Sequence, residues 1–382
     1  MNIYHLINKL MTLSCCLMLS ISTLTFAKES SYPQFNGDTP DAKINMDFEL
    51  VDAMLSANVI NMGPSRRVNA RRTDKAAIGT RLTAHINVAT HNEGNRFSYE
   101  LIKHNKHEDK VAAIKQYLES LPTQTPLNLY TKQEQLAYWL NLYTVTLINE
   151  IVKKYPYIRL EKSLTSSDSL LDKKLINIGD ITLSLNDIQH DILFTKYNKD
   201  PLIMYGLHQG MIGSPRINKT AYLGKNVYEL LKENAAEFIN SNRGVKTDSG
   251  NTLEVSSYYA NNEDYFPDFN NNLKTHLLQY ANTETSEAIN QADTIEPNIN
   301  NWNIADLFGS KREFGQGLNN NAAAAMGAMS NSYTDKVIAS SKKGGAFQLS
   351  PAQMQRLTEL SRVRARNLGS TSVTVTDLES KE

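Results

Sequence analysis

The chain has 382 residues, of which 41% are hydrophobic, and this length can supply a sizeable buried core. Its 40 Lys and Arg residues balance 40 Asp and Glu residues. This balance excludes the strong field that attracts nucleic acids or anionic membrane surfaces, so we expect no nucleic-acid partner.

The first 27 residues have the pattern of a cleavable secretory signal peptide. A polar segment with one charge, Lys9, precedes an uncharged apolar run that ends at Ala27. Thr25 and Ala27 are the small residues expected before a cleavage site. The alternative is a membrane anchor, which needs roughly 20 predominantly apolar residues, whereas this run is diluted by Ser and Thr. We therefore expect a periplasmic or secreted protein without a transmembrane span after cleavage.

Both cysteines of the chain, Cys15 and Cys16, lie inside this segment. Cleavage after Ala27 would remove them, and the mature chain would then have no disulfide. It would also remove one Lys and no acid, which leaves 39 basic and 40 acidic residues.

The next stretches predict a polar lead-in and a first helix. Residues 28–45 are polar and rich in Pro, Gly and Asp, which indicates a flexible segment before a domain that begins at residue 46. A helix is expected at about 47–57. The arginines of residues 65–75 are interpreted as a solvated basic surface rather than an anion site.

His104 and His107 are three residues apart, a spacing at which two helical side chains can face one metal ion. They lie in a charged run at the start of a helix, where a solvated face is the simpler interpretation. We therefore predict no cofactor and keep a metal site as the least favoured hypothesis.

The clearest helix is predicted at 132–154. Thr131 and Glu134 form a capping box, and the residues that follow are apolar nearly all round, which is typical of a buried helix. Asn141 then lies in the core, where its amide must bind backbone groups or line a polar cleft.

A β-hairpin is predicted over 174–185, with a turn at Gly179 and Asp180. Ser184 and Asp187 offer a second capping box, for a helix that continues through residue 193. His190 falls off the apolar stripe of that helix, so it is expected to face a cleft or solvent.

The rest of the chain predicts a polar loop, two helices and a separate extension. Residues 201–216 lead from an apolar run into a loop with two Gly and a Pro, and such loops often carry function. Helices are expected at about 224–240 and up to about 280, separated by an aromatic-rich stretch at 256–269. Residues 307–382 are interpreted as a C-terminal extension with a helix at about 350–367 and a disordered tail.

Four stretches in this order and spacing resemble the DUF547 domain family, and the resemblance covers about 95–306. Residues 134–143 are similar to the family's "AFWINLYN" helix, and residues 181–190 to its "SLNDIEH" segment. Residues 205–215 stand at the place of its "FALNCGAxSCP" loop, and residues 301–306 are similar to "YDWSLN".

The chain departs from the family where chemistry would be expected. Gln209 and Ser214 replace the two cysteines of the third stretch, His208 replaces the Asn before the first of them, and Gln189 replaces the Glu before His190. A thiolate nucleophile is therefore excluded at this loop.

The predicted elements together indicate one mainly helical α+β domain over 46–306, with a small antiparallel sheet that includes the 174–185 hairpin, followed by a helical C-terminal extension. The favoured function is binding of an unknown small molecule or envelope protein, without thiol catalysis. The alternative is a hydrolase or acyl-transfer enzyme that uses Ser214 or a polarised water, with His190 or His208 as base. The expected cleft residues are Asn141, Gln209, Gly210 and Arg216.

Overall fold

The computed structural model describes residues 31–67, 89–90, 93–156, 159–247 and 250–306. The predicted signal peptide, most of the predicted basic segment and the predicted C-terminal extension lie outside the described residues.

The described chain is a mainly helical α+β fold, as predicted from the sequence. It contains the α-helices α1 (Glu49–Asn58), α2 (Tyr99–His104), α3 (Glu108–Gln124), α4 (Lys132–Lys154), α5 (Glu161–Thr165), α6 (Phe194–Lys196), α7 (Val227–Ile239), α8 (Ser257–Ala260), α9 (Phe269–Leu278) and α10 (Thr283–Gln291). A π-helix spans Asp187–Leu193, and 3₁₀ helices span Pro33–Phe35, Leu127–Leu129, Pro201–Gly206 and Glu263–Tyr265.

Helix α4 forms the centre of the core, because all residues from Glu134 to Val152 are buried. The Thr131 hydroxyl accepts from the Glu134 amide at 3.1 Å, which confirms half of the predicted capping box. The Glu134 carboxylate does not accept a hydrogen bond from the Thr131 amide, which would complete the box. It accepts instead from the amides of Met46 and Gly224, at 2.8 and 3.0 Å, and so connects α4 to two segments that are distant in sequence.

Among the described residues, the strands form three separate two-stranded ladders rather than the one small antiparallel sheet expected. They are β1 (Val59–Ile60) with β2 (Arg96–Phe97), β3 (Ile176–Ile178) with β4 (Ile181–Leu183), and β5 (Thr252–Ser256) with β6 (Thr294–Ile299). The first two pairs are antiparallel and the third is parallel. A parallel pair needs a long connection, and here residues 257–293 with α8, α9 and α10 provide it.

The predicted hairpin is confirmed, with Gly179 at φ +60° in the turn between β3 and β4. The second capping box is confirmed in both directions. The Asp187 amide donates to the Ser184 hydroxyl at 3.0 Å, and the Ser184 amide donates to the Asp187 carboxylate at 2.5 Å. The helix that follows is a π-helix, so the angular position of His190 derived for an α-helix does not apply.

Part of the segment expected to be a flexible lead-in lies against the core. Phe35 is buried and packs edge-on against Trp139 at 5.0 Å between ring centroids. The Lys196 ammonium donates to the carbonyls of Phe35 and Gly37, at 2.7 and 2.9 Å, and to the Gln135 side chain.

Candidate functional site

The loop at 207–216 follows the 3₁₀ helix Pro201–Gly206 and pairs with the end of the described chain. The Ile212 amide donates to Asn303 at 2.8 Å, and the Ala305 amide donates to Gly210 at 2.8 Å. Met211 and Ile304 form an antiparallel bridge. The third and fourth stretches of the family resemblance are therefore neighbours in space, although about 90 residues separate them in sequence.

Gly210 is required by the backbone and by packing. Its φ is +76°, and a Cβ there would lie 2.5 Å from Ile151 Cδ1 and 3.1 Å from Leu160 Cδ1. Because Gly210 has no side chain, Ile151 and Leu160 can pack directly against its backbone. Its carbonyl accepts the hydrogen bond from the Ala305 amide and so holds the segment at 301–306.

The Ser214 hydroxyl is buried and fully engaged. It is only 1% exposed, accepts from the Gln209 amide at 3.1 Å and donates to the Met211 carbonyl at 2.9 Å. Its Oγ also lies 3.3 Å from Nδ1 of His208. The structure therefore brings Ser214 and His208 together, as the enzymatic alternative requires.

The hydrogen bonds of Ser214 and His208 do not run as they do around an activated serine, whose hydroxyl donates to the histidine. Nδ1 of His208 lies 2.7 Å from the Pro215 carbonyl, and a carbonyl can only accept, so Nδ1 carries a proton. Burial lowers the pKa of His208 to about 4, the bond to Pro215 opposes this, and the nearby Arg243 and Arg96 add to it. The imidazole is then neutral near pH 7, and its basic nitrogen is Nε2. Nε2 is buried and has no hydrogen-bond partner among the described residues.

A buried ionic cluster lies directly behind this loop. Arg243 is fully buried, donates to the Ser214 carbonyl at 2.5 Å and pairs with Glu237. Its backbone amide donates to Glu93 at 3.0 Å, and its guanidinium lies 5.0 Å from the ring centroid of Phe238. Burial raises the pKa of the Glu93 carboxyl, while the bond from Ser65 and the charge of Arg243 oppose the rise. Sequence reasoning missed this cluster, since nothing near Arg243 or Glu93 in sequence indicates their meeting.

Gln209 and Arg216, two of the predicted cleft residues, have polar side-chain groups that remain partly accessible in the loop. Gln209 is only 7% exposed, yet its side-chain amide makes no hydrogen bond within the described part of the chain. The Arg216 side chain is 16% exposed and donates from Nε to Asn234 at 2.9 Å. Its guanidinium also lies 3.9 Å from Glu233.

Asn141 binds the backbone of a neighbouring segment. Its Nδ2 donates to the Tyr222 carbonyl at 2.8 Å, and its Oδ1 accepts from the Tyr222 amide at 3.0 Å. This is one of the two roles expected from the sequence, and it uses both ends of the buried amide.

His190 lies on the π-helix and is half-buried. The neighbouring Gln189 is buried and donates to Asn262 at 2.5 Å, and Asn262 donates in turn to the Tyr258 carbonyl. The hydrogen bonds of Ser214 join it to His208, Gln209, Met211 and Pro215, and none of them involves His190.

The structure was also searched for metal-binding groups and for helices that could cross a membrane. His107 contacts Lys110 at 3.1 Å. Within the ranges the structure describes, no group of three or more His, Cys, Asp or Glu side chains is arranged to hold a metal ion. In the same ranges, no helix combines the length and the apolar character that a membrane crossing requires.

Comparison with known proteins gives one match. Residues 127–239 match the model of a family described as "Protein of unknown function, DUF547". The match includes α4, the hairpin, the π-helix, the loop at 207–216 and α7, while the paired segment at 301–306 lies outside it. No curated protein matches the chain, and no solved structure does. The chain contains a DUF547 domain and is a member of that domain family.

Proposed function

We propose that this protein is exported to the cell envelope and binds a small molecule or another envelope protein through its DUF547 domain, without thiol or serine catalysis. The observation that carries the proposal is the engagement of the buried Ser214 hydroxyl. A nucleophilic serine must give its proton to a base, whereas Ser214 directs its proton to the Met211 carbonyl, which is too weak a base to take it.

The state of His208 supports the same conclusion. A general base must present an unprotonated nitrogen to the proton that it removes. The nitrogen of His208 that faces Ser214 is Nδ1, and its hydrogen points to the Pro215 carbonyl. The basic Nε2 is buried on the other side of the ring.

A binding role fits the groups that remain available at the loop edge. Gln209 offers an amide without a hydrogen-bond partner in the described chain, and Arg216 offers a partly exposed guanidinium. These groups suit hydrogen bonding to a carbonyl, carboxylate or peptide backbone. The buried Arg243 keeps the loop rigid beneath them.

Export is proposed from the pattern of residues 1–27 alone. Expression of the full chain in its host, followed by fractionation and intact mass, tests this point. The expected product begins at Lys28 and is found in the periplasm or the medium. A full-length product retained in the cytoplasm or the membrane would contradict it.

The enzymatic alternative rests on the 3.3 Å distance between Ser214 and His208. A fluorophosphonate probe, which labels activated serines, separates the two functions when applied to the full chain. We expect no adduct by intact mass. An adduct on Ser214 that disappears in Ser214→Ala and in His208→Asn would establish the alternative.

A further inference from the structure

Residues 31–39 form a strap that lies against the first turns of α4. The strap contains the 3₁₀ helix Pro33–Phe35. Phe35 is 5% exposed, and its ring packs edge-on against Trp139, with 5.0 Å between the ring centroids. An aromatic side chain therefore anchors the strap to the central helix of the domain.

The carbonyls of the strap are held by two side chains of the domain. The Lys196 ammonium donates to the carbonyls of Phe35 and Gly37, at 2.7 and 2.9 Å. The side-chain amide of Gln135 donates to the same Gly37 carbonyl at 3.1 Å. These bonds recognise the backbone of the strap in an extended stretch directly after its aromatic anchor.

The end of the strap is held by backbone carbonyls of the domain. The Thr39 amide donates to the Tyr130 carbonyl at 3.0 Å, and the Thr39 hydroxyl donates to the Asn128 carbonyl at 2.8 Å. The surface that receives the strap is called the groove here, and it consists of Asn128, Tyr130, Gln135, Trp139 and Lys196.

The strap and the groove are connected by a stretch with few contacts of its own. The hydrogen bonds between them join residues 89 to 161 positions apart. Residues 40–45 are exposed except for the half-buried Ala42, and within the described chain their hydrogen bonds are limited to the one from the Ala42 amide to the Thr39 carbonyl. This stretch can span up to about 20 Å when extended. A second copy of the chain can therefore place its strap in the same groove with the same contacts.

Exposed apolar side chains are concentrated beside this connecting stretch. Four large apolar side chains are exposed in the described chain, and three of them adjoin the strap or the groove. Ile44, 44% exposed, lies in the connecting stretch, Leu50, 51% exposed, lies in the first turn of α1, and Leu129, 47% exposed, lies between two groove residues. In a dimer that exchanges straps, the connecting stretches cross at the two-fold axis, which brings the surfaces beside them together.

We propose that two copies of this chain exchange residues 31–39, so that the strap of each copy fills the groove of the other. The contacts inside the groove are the same in the monomer and the dimer, so the covering of Ile44, Leu50 and Leu129 favours the dimer. A second copy is the occupant that fits, because its strap carries the anchor, the donors and the acceptors that the groove already holds. The exchange does not use the loop at 207–216, so its failure would leave the proposed function untouched.

The mass of the whole protein in solution is the first test, measured by light scattering after size exclusion. We expect a dimer, and a monomer at the highest soluble concentration would overturn the proposal. Ile44→Ser and Leu129→Ser change exposed side chains, and each is expected to weaken dimerisation roughly tenfold. Leu278→Ser is the matched control, because Leu278 is 37% exposed but lies on α9, and it should leave the dimer unchanged. An equal loss in Leu278→Ser would overturn the proposal.

An engineered disulfide distinguishes an exchanged dimer from any other dimer. A Cβ at Gly37 would lie 3.8 Å from the Cβ of Asn128, which is within the range that a disulfide requires. The variant with Gly37→Cys and Asn128→Cys, together with Cys15→Ser and Cys16→Ser, is oxidised and run on a denaturing gel without reductant. We expect a covalent dimer in which mass spectrometry finds position 37 linked to position 128. A monomer with this link inside one copy would overturn the proposal, whatever the mass of the unmodified protein.

Discussion

Ser214 and His208 lie 3.3 Å apart, from Oγ to Nδ1, yet each directs its proton to a backbone carbonyl of the same loop. The same pair in a hydrolase would share one proton between them. In this chain the two side chains therefore act as cross-links that hold residues 208–215 in one conformation.

Ser214→Ala should destabilise the protein by about 1–3 kcal/mol, because the Gln209 amide and the Met211 carbonyl lose a buried partner. Urea unfolding followed by circular dichroism measures the change. Ser167→Ala is the control, since Ser167 is exposed, and it should change the free energy of unfolding by less than about 0.5 kcal/mol. A neutral effect of Ser214→Ala would contradict the cross-linking role.

Arg243→Met should cost about 3–5 kcal/mol, because it leaves the buried Glu237 carboxylate without its ion-pair partner. The double variant with Glu237→Gln should recover part of this loss, and a double-mutant cycle measures the coupling. Arg159→Met is the matched control, since its ion pair with Glu161 lies on the surface. Additive effects of the two buried substitutions would contradict the pairing.

Gly210→Ala should destabilise by about 2 kcal/mol or more, since it combines a positive φ with a clash against Ile151. Gly63→Ala is the control for backbone strain alone. Gly63 has φ +78°, and no atom of the described chain lies within 4 Å of the place where a Cβ would stand, so this change should cost only about 1–2 kcal/mol. Adding Ile151→Val to Gly210→Ala should relieve part of the loss, because it removes Cδ1. Equal costs at the two glycines would show that packing is not involved.

The stability of the protein should fall as the pH falls from about 6.5 toward about 4. Burial lowers the pKa of both His208 and His276 from 6.5 to about 4 in the folded chain. Between these values the unfolded chain binds protons that the folded chain does not, so acid favours unfolding by up to about 3 kcal/mol per histidine. Urea unfolding over this pH range measures the slope.

The matched variants assign this slope to its source. His208→Asn keeps a donor for the Pro215 carbonyl and removes the imidazole, so it should flatten the pH dependence. Ser167→Ala, at an exposed residue that does not titrate, should leave it unchanged. A slope that survives His208→Asn unaltered would contradict the neutral, buried state of His208.

Lys196→Met should loosen the segment at 33–39, because the ammonium loses its contacts with the carbonyls of Phe35 and Gly37. Hydrogen exchange should then be faster at the Thr39 amide, which donates to Tyr130 at 3.0 Å. Lys153→Met, at a half-exposed side chain, is the control. Unchanged exchange at Thr39 in Lys196→Met would show that other contacts hold the segment.

Local patterns predicted much of the fold. The bounds of α4 were predictable from its capping residue and its apolar face, and the hairpin from Gly179 between two alternating strands. The reciprocal bonds of Ser184 and Asp187 were readable from their spacing. In each case the interacting residues are close in sequence, so their spacing alone determines which of them can meet.

Contacts between distant segments were not predictable in this way. The parallel pairing of β5 with β6 and the bridge from Met211 to Ile304 join residues about 40 and 90 positions apart. The π-helical spacing at 187–193 was not predicted either, since buried residues at 185, 188 and 192 fit an α-helix equally well. For the site, the sequence offered His190 and His208 as alternative bases for Ser214 without indicating which of them lies beside it. The bond from Arg243 to Ser214 had no local signal either.

The tautomer of His208 tests the central claim most directly. Nitrogen-15 NMR of the imidazole in the whole protein, with His208→Asn used for assignment, distinguishes the protonated from the bare nitrogen. We expect Nδ1 to be protonated and Nε2 bare near neutral pH, with a titration midpoint at about 4. A bare Nδ1 facing Ser214, or a midpoint at or above about 6.5, would show a base poised for catalysis and would contradict the proposed binding role.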